Sequence, residues 1–220
     1  MRALVIGSSG GIGAAIAEEL QQRGTRVTGL SRRNDGLDVR DETFVAAAFA
    51  GLEGTFDLVF VATGTLISTR DRPEKSIREL TANEMAAQFA INAIGPMLVL
   101  KHASPFLPKD RRAVFAALSA RVGSIGDNTL GGWHSYRASK AGLNQLLHGA
   151  AIELARTHKK TIVAALHPGT VATPFTKAYA GSHDRVAPRH AAGRLLDVLD
   201  RLQPEHSGGF YDYAGKTIPW

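Results

Sequence analysis

The sequence predicts an α/β domain built on a doubly wound parallel sheet whose strands are covered on both faces. Three observations carry that prediction. Short, continuous apolar runs alternate with amphipathic stretches along the whole chain, as strands and helices do in a parallel sheet. A glycine-rich turn separates the first run from the first amphipathic stretch. The length of 220 residues, with no internal repeat, low-complexity tract or long linker, suits a single domain covering 1–220.

Taken in order, the run Arg2-Ala3-Leu4-Val5-Ile6 reads as a buried strand, and 11–23 as the helix after the turn. A second strand is expected over 26–30, a helix over 43–50 and a third strand over 56–62. A long helix follows over 81–107, then a strand over 113–119, a helix over 135–156 and a strand over 161–167. The last helix spans 189–201, and a short strand forms around Phe210. Right-handed crossovers between such strands place function at their carboxyl ends.

Composition narrows the function classes. The chain is 44% hydrophobic, enough for a large core. It has no cysteine, which excludes disulfides and thiolate chemistry. No stretch approaches the roughly 20 apolar residues of a membrane span. The start, Met1-Arg2-Ala3-Leu4-Val5-Ile6, lacks the pattern of a signal peptide, so a cytoplasmic protein without a membrane partner is expected. A net charge of +6 would suit an anionic partner. The basic residues are scattered, however, with nothing denser than Arg111-Arg112. Nucleic acid is therefore not expected, whereas a phosphate-rich cofactor fits. The eight histidines show no metal-ligand spacing, and no metal site is expected.

The turn Gly7-Ser8-Ser9-Gly10-Gly11-Ile12-Gly13 lies between the first strand and the first helix. Glycine permits positive φ and close approach of backbone to a ligand, and the helix N-terminus offers unpaired N–H groups to a pyrophosphate. That is the dinucleotide site of a Rossmann-type sheet. Gly7, Ser9, Gly11, Ile12 and Gly13 are the candidate phosphate-side residues. The glycines read as G-x-x-x-G-x-G or as G-x-x-G-x-x-G. The second spacing belongs to longer enzymes with an extra substrate domain, for which this chain has no room.

An NAD site places an acid about 20 residues past the glycines, on the ribose hydroxyls. Here Ser31 holds that place, and Arg32 and Arg33 follow at once. A carboxylate would repel a 2′-phosphate, while a guanidinium binds it with paired hydrogen bonds. NADP(H) is therefore preferred, with Arg32 as its candidate ligand. NAD(H) stays open through Asp35.

Tyr136-Arg137-Ala138-Ser139-Lys140 opens a helix, and a spacing of four puts Tyr136 and Lys140 on one face. A phenol has an ordinary pKa of about 10. Bringing it to ~7 takes about 4 kcal/mol of differential stabilisation, which a nearby ammonium helps to supply. Such a tyrosine can give a proton to a carbonyl oxygen or take one from an alcohol.

On these residues the chain resembles the short-chain dehydrogenase/reductase family over essentially its whole length. It is similar within it to the C-factor and sniffer-like carbonyl reductase branch in 122–128, 131–133, 135–144 and the tail Gly209-Phe210-Tyr211-Asp212-Tyr213 through Pro219-Trp220. The resemblance implies reversible hydride transfer between NADP(H) and a carbonyl/alcohol pair. It implies that Tyr136 is the acid/base and that Lys140 lowers its pKa and binds the nicotinamide ribose. Asn92 would support the lysine and a water relay. Pro168, Gly169, Val171 and Thr173 would contact the nicotinamide, Asp38 and Val39 the adenine, and Ala62 and Gly64 would line the cofactor through their backbone. A homodimer or homotetramer through 81–107 and 135–156 is implied, unless the C-terminal tail covers that surface.

The family pattern departs at three places. Two serines usually close the fourth strand. Ser119 is present, and Ala120 stands where the second, substrate-holding serine belongs. Adjacent strand residues point to opposite faces, so Ser119 becomes the candidate only if the backbone bends, and Ser124 is the other hydroxyl near it. Ile6 replaces a threonine, and Val61-Ala62-Thr63-Gly64 replaces N-N-A-G. Trp133, Phe175 and Tyr179 are candidate pocket walls, with His134 at the cleft or in its loop. Residues 174–186 are a candidate substrate lid, with Gly181 and Ser182 within it. Against the enzyme stands a nicotinamide-binding sensor with little turnover, which Ala120 favours and the intact Tyr136–Lys140 pair opposes.

Overall fold

The computed structural model describes residues 1–176 and 185–220. Six strands form one parallel sheet: β1 (Arg2–Ile6), β2 (Arg26–Leu30), β3 (Leu58–Val61), β4 (Ala113–Leu118), β5 (Thr161–His167) and β6 (Gly209–Asp212). Their spatial order is β2-β1-β3-β4-β5-β6. Order reverses after β1, so the strand ends splay open there, and a dinucleotide crevice belongs at that point.

Alternate strand residues feed two cores. Leu4, Ile6, Val59, Val61, Phe115, Ala117, Val163 and Ala165 pack beneath α3 (Glu42–Ala50), α5 (Gly95–Ala103) and α6 (His134–Leu154). Ala3, Val5, Phe60, Val114, Ala116, Ile162 and Ala164 pack beneath α1 (Gly11–Gln22) and α7 (Pro188–Arg201). This two-sided burial is why the strands read as unbroken apolar runs. Each fully buried Phe, Leu or Ile contributes about 1.5–3 kcal/mol of transfer free energy.

Two elements differ from the expectation. The sequence between β2 and α3 holds a short helix, α2 (Arg32–Asp35), capped by the Ser31 hydroxyl, which accepts from the Asn34 amide at 3.2 Å. Asp35 answers by accepting from the Ser31 amide at 2.7 Å. The expected helix over 81–107 is interrupted. It runs as α4 (Ala82–Phe89), a π segment (Ala90–Ile94), α5, and a 3-10 turn (Ser104–Phe106). Pro96 has no amide to give the Asn92 carbonyl, and the turn before it widens. Gly95 sits hard against Val39, where a Cβ would lie 2.7 Å from the valine methyl.

The chain end folds across α6. The Trp220 ring lies 5.5 Å from that of His148 and stacks on Phe210 at 6.1 Å, and the Gly126 amide donates to the Trp220 carbonyl. No helix among the described residues is long and apolar enough to cross a membrane.

Candidate active site

Two cavities flank the glycine turn and share Ser9, Gly10, Ala62, Thr63 and Gly64. The one beside β2 has a volume of about 490 Å³ and a wall of Gly7, Ser31, Arg32, Asp38, Val39 and Arg40. The other, beside β4 and β5, holds about 400 Å³, with Ile12, Tyr136, Lys140, His167 and Phe175 in its wall.

The turn itself is built for close approach. Gly7 has φ +85°. A Cβ on Gly13 would fall 2.2 Å from the Gly7 carbonyl oxygen, so α1 can start this near β1 only with glycine there. Gly11 lies against Thr173, with 2.7 Å from a Cβ to its methyl, which joins the turn to the loop after β5. The N-terminus of α1 carries no side-chain cap, leaving its first amides and positive dipole end for an anion.

At the β2 end the residues are charged and solvated. Arg32 is exposed at the cavity wall. Arg40, which sequence reasoning missed, grips Asp38 through Nε at 2.9 Å and 3.0 Å. That hydrogen bond holds the Asp38 carboxyl below its usual range, and Arg32 adds a smaller coulombic pull. Asp35 is not in either cavity wall, its carboxylate being the partner of Ser31.

At the β4–β5 end the Tyr136–Lys140 pair is buried. Tyr136 and Lys140 are 6% and 2% exposed, and the ammonium lies 6.0 Å from the phenol ring centre. Lys140 Nζ donates to the Leu118 carbonyl at 2.7 Å. Burial acts in opposite directions on the pair: it pushes the phenol up and the ammonium down, the latter to about 7. The sequence led us to expect a lowered phenol, but loss of water around it outweighs the neighbouring charge here. Gly123 packs on Lys140, where a Cβ would meet the lysine Cβ at 2.8 Å.

Asn92 lies in the π segment and is fully buried. Its amide receives from the Thr65 amide at 2.8 Å and donates to the Thr65 carbonyl at 2.8 Å and to Ser139 Oγ at 3.0 Å. It thus ties the β3 loop to the catalytic turn of α6. It meets Lys140 only across Gly64, whose Cβ would lie 3.4 Å from both side chains. Single π turns of this kind recur at functional sites.

Ser119 lines the cavity, but its hydroxyl donates to Asn144 Oδ1 at 2.6 Å. Ser124 is buried, accepts from the Asp127 amide at 3.1 Å and is not in the cavity wall. Ala120 is in that wall. Trp133 caps α6 with φ 49°, meets Tyr136 edge-on at 6.4 Å and lines neither cavity, while Phe175 lies 6.2 Å from Tyr136 and does line the cavity. His134 opens α6 and is in neither cavity wall.

Pro168, Gly169, Val171 and Thr173 all reach the cavity. Of the segment 174–186, Pro174, Phe175 and Thr176 line it too. Its last residue, Val186, donates to the Thr170 carbonyl at 3.0 Å and accepts from the Ala172 amide at 2.9 Å, in the loop that precedes the segment. Tyr179, Gly181 and Ser182 lie outside the described residues.

Sequence reasoning missed Glu74. It is fully buried, its carboxylate accepts from Ser135 Oγ, and its carbonyl accepts from the Trp133 amide at 2.6 Å. A loop glutamate 61 residues before its partner leaves no local pattern to read. Among the described residues no cluster of side chains could hold a metal.

Residues 6–200 match the family model described as enoyl-(acyl carrier protein) reductase. The 1-hydroxy-2-glutathionyl-2-methyl-3-butene dehydrogenase of Rhodococcus sp. is 31% identical, over 99% of this chain and 98% of that protein. The C-signal of Myxococcus xanthus is 38% identical over 62% of this chain and 79% of its own. Among solved structures, a short-chain dehydrogenase/reductase from Burkholderia multivorans with bound NADP superposes with a TM-score of 0.81. It is 26% identical and covers 100% of this chain and 99% of that one. With the glycine turn, the Tyr136–Lys140 helix and the Pro168–Thr173 loop converging on one crevice, the chain belongs to the short-chain dehydrogenase/reductase family of oxidoreductases.

Proposed function

We propose that the protein is an NADP(H)-dependent oxidoreductase acting on a carbonyl/alcohol pair, with 1–220 as one cofactor-binding domain and 174–186 closing over the substrate. The observation that carries this is the shared cavity: Tyr136, Lys140, the glycine turn and the loop after β5 face one space. The residues present fit a dinucleotide, since the cradle between Gly7 and Gly13 would be filled by a Cβ and the α1 N-terminus is uncapped.

Arg32 would hold the 2′-phosphate and Asp38 and Val39 would border the adenine, in the β2-side cavity. With Asp35 engaged by Ser31, no carboxylate competes for that phosphate from its position, which favours NADP(H) over NAD(H). Gly7, Ser9, Gly11, Ile12 and Gly13 would receive the pyrophosphate, with Ala62 and Gly64 beside it. Pro168, Gly169, Val171 and Thr173 would bound the nicotinamide. When bound, the reduced nicotinamide supplies the hydride.

In the reducing direction Tyr136 gives its phenolic proton to the carbonyl oxygen. The phenolate left behind is stabilised by the Lys140 ammonium, and Asn92 keeps α6 and the β3 loop in register around them. Ser119 reaches substrate only by releasing Asn144. Phe175 in the cavity wall suits an apolar substrate, while Trp133, which lines neither cavity, backs Tyr136. The protein would act in the cytoplasm on a small molecule. Trp220 covers part of α6, which leaves the rest of that helix and α4 for a homodimer or homotetramer.

One observation favours a second reading. Ala120 and the engaged Ser119 weaken the substrate-oxygen site, as a nicotinamide-binding sensor with little turnover would allow. Titration with NADPH and NADH, followed by a panel of aldehydes, ketones and diketones, separates the two. NADPH should bind far more tightly and be oxidised, with activity lost in Tyr136→Phe. Tight binding with no turnover favours the sensor, and failure of both nucleotides to bind overturns the proposal.

A further inference from the structure

We propose that His167 donates a hydrogen bond to the carbonyl oxygen of the substrate, occupying the role that Ala120 leaves without a hydroxyl. This rests on the oxidoreductase reading above and adds a catalytic residue to it.

The placement comes from the sheet. In the β4–β5 pairing Leu118 stands opposite Leu166, and the Ser119 amide donates to the Leu166 carbonyl at 2.7 Å. His167 therefore ends β5 beside the Ser119–Ala120 step that follows β4. Alternation along β5 puts Leu166 in the core beneath α1 and α7 and Ala165 in the core beneath α6. His167, two residues on from Ala165, lies toward the α6 side, where Tyr136 and Lys140 stand. All of these, with Ala120, line the same 400 Å³ cavity.

The ring is held and has a spare donor. His167 Nδ1 is buried with no hydrogen-bond partner. A sealed acceptor without a partner is tolerated more readily than a sealed N–H, so the proton belongs on Nε2, the nitrogen not sealed in this way. Burial first, and Arg121 second, push the imidazole down to about 4 against the opposing pull of Asp212. At neutral pH the imidazole is thus uncharged, and with its proton on Nε2 it is a donor, a form that polarises carbonyl groups elsewhere in enzymology. The Tyr213 ring lies 6.4 Å from the imidazole and abuts Gly169, where a Cβ would meet it at 2.9 Å. That contact fixes the backbone just after His167. The two hydroxyls near Ala120 are otherwise engaged, Ser119 with Asn144 and Ser124 with Asp127.

The step balances simply. The reduced nicotinamide, when bound, would supply the hydride; as the C=O π bond gives way to a C–H and an O–H bond, Tyr136 would give the proton to the oxygen, and the His167 proton would stay on Nε2, its hydrogen bond strengthening as negative charge develops.

The test uses the whole chain and the carbonyl compound of the panel that wild type reduces fastest. His167→Ala should lower kcat by about 100-fold, the loss typical of one missing donor to developing charge, with NADPH affinity unchanged. His167→Gln, which keeps an N–H, should recover part of that loss. Adding Ala120→Ser to His167→Ala should restore at least tenfold. His167→Ala within threefold of wild type overturns the inference while leaving the Tyr136 reading intact, and so does a loss that Ala120→Ser fails to repair at all. If wild type reduces nothing, the ¹⁵N signal of His167 in the NADP⁺ complex decides. A shift on adding benzyl alcohol supports the contact, and no shift overturns it.

Discussion

The two ends of the crevice solve different problems with different physics. At the β2 end the wall carries charges close together in sequence, exposed Arg32 and Arg40 and half-buried Asp38, which span nine positions. At the β4–β5 end Tyr136 and Lys140 on α6 are buried, and His167 at the end of β5 is half-buried. Solvated guanidinium groups can recognise a phosphate without paying a large desolvation cost. Acid–base groups need the reverse, because a dry site makes each charge and dipole count for more. The comparison predicts that changes at the dry end cost rate and changes at the wet end cost affinity.

The largest expected effect is at Tyr136. Removing its hydroxyl in Tyr136→Phe should lower kcat by about 10²–10⁴-fold, the usual worth of a positioned proton donor, with NADPH binding within threefold of wild type by fluorescence titration. Equal losses in binding and rate would erase the distinction between the two ends.

Next is Arg32→Ala, which should weaken NADPH by about 10- to 100-fold, as for loss of about 1.5–3 kcal/mol of charged hydrogen bonding, and leave NADH almost unchanged. Because this end is exposed, raising the ionic strength should narrow the NADPH preference. A preference insensitive to both would place phosphate recognition elsewhere.

A pH profile sharpens the dry end. Burial lowers Lys140 to about 7 and raises Tyr136. Below that value the ammonium is charged and can stabilise the phenolate; above it the charge is lost while Tyr136 keeps its proton. The rate of carbonyl reduction should therefore fall as pH rises through the Lys140 pKa. A kcat that stays flat from pH 6 to 9 would show that the ammonium is not the stabilising group.

The smallest effect on rate is expected from Glu74→Ala. It strands the Ser135 hydroxyl and empties a sealed position, so stability should drop by about 1–3 kcal/mol, read from urea denaturation. The carbonyl contact of Glu74 to Trp133 is backbone and remains, so kcat should change less than tenfold.

Much of the fold was legible because every strand but the edge strand β2 is buried on both faces and the helices on one, a pattern that period alone reveals. The segments 26–30 and 161–167 match β2 and β5 to the residue. The glycine turn and the Tyr136–Lys140 spacing were legible for the same reason: each is local. The break in the helix over 81–107 was not, although Pro96 stood in the sequence. A proline is tolerated in the first turn of a helix, and only the folded chain, in which α5 begins at Gly95, puts Pro96 in such a turn.

The sequence by itself determined the element order, the two-sided core, the cofactor turn and the acid–base pair, since each depends on residues near one another in the chain. Tertiary structure alone decided which hydroxyls are spent, that Asn92 bonds Thr65 and Ser139, that Glu74 supports α6, and that His167 stands beside Ala120. It also decided the direction in which Tyr136 and Lys140 titrate. Those outcomes depend on which distant segments exclude water from one another, a property of the packed chain that no local spacing encodes.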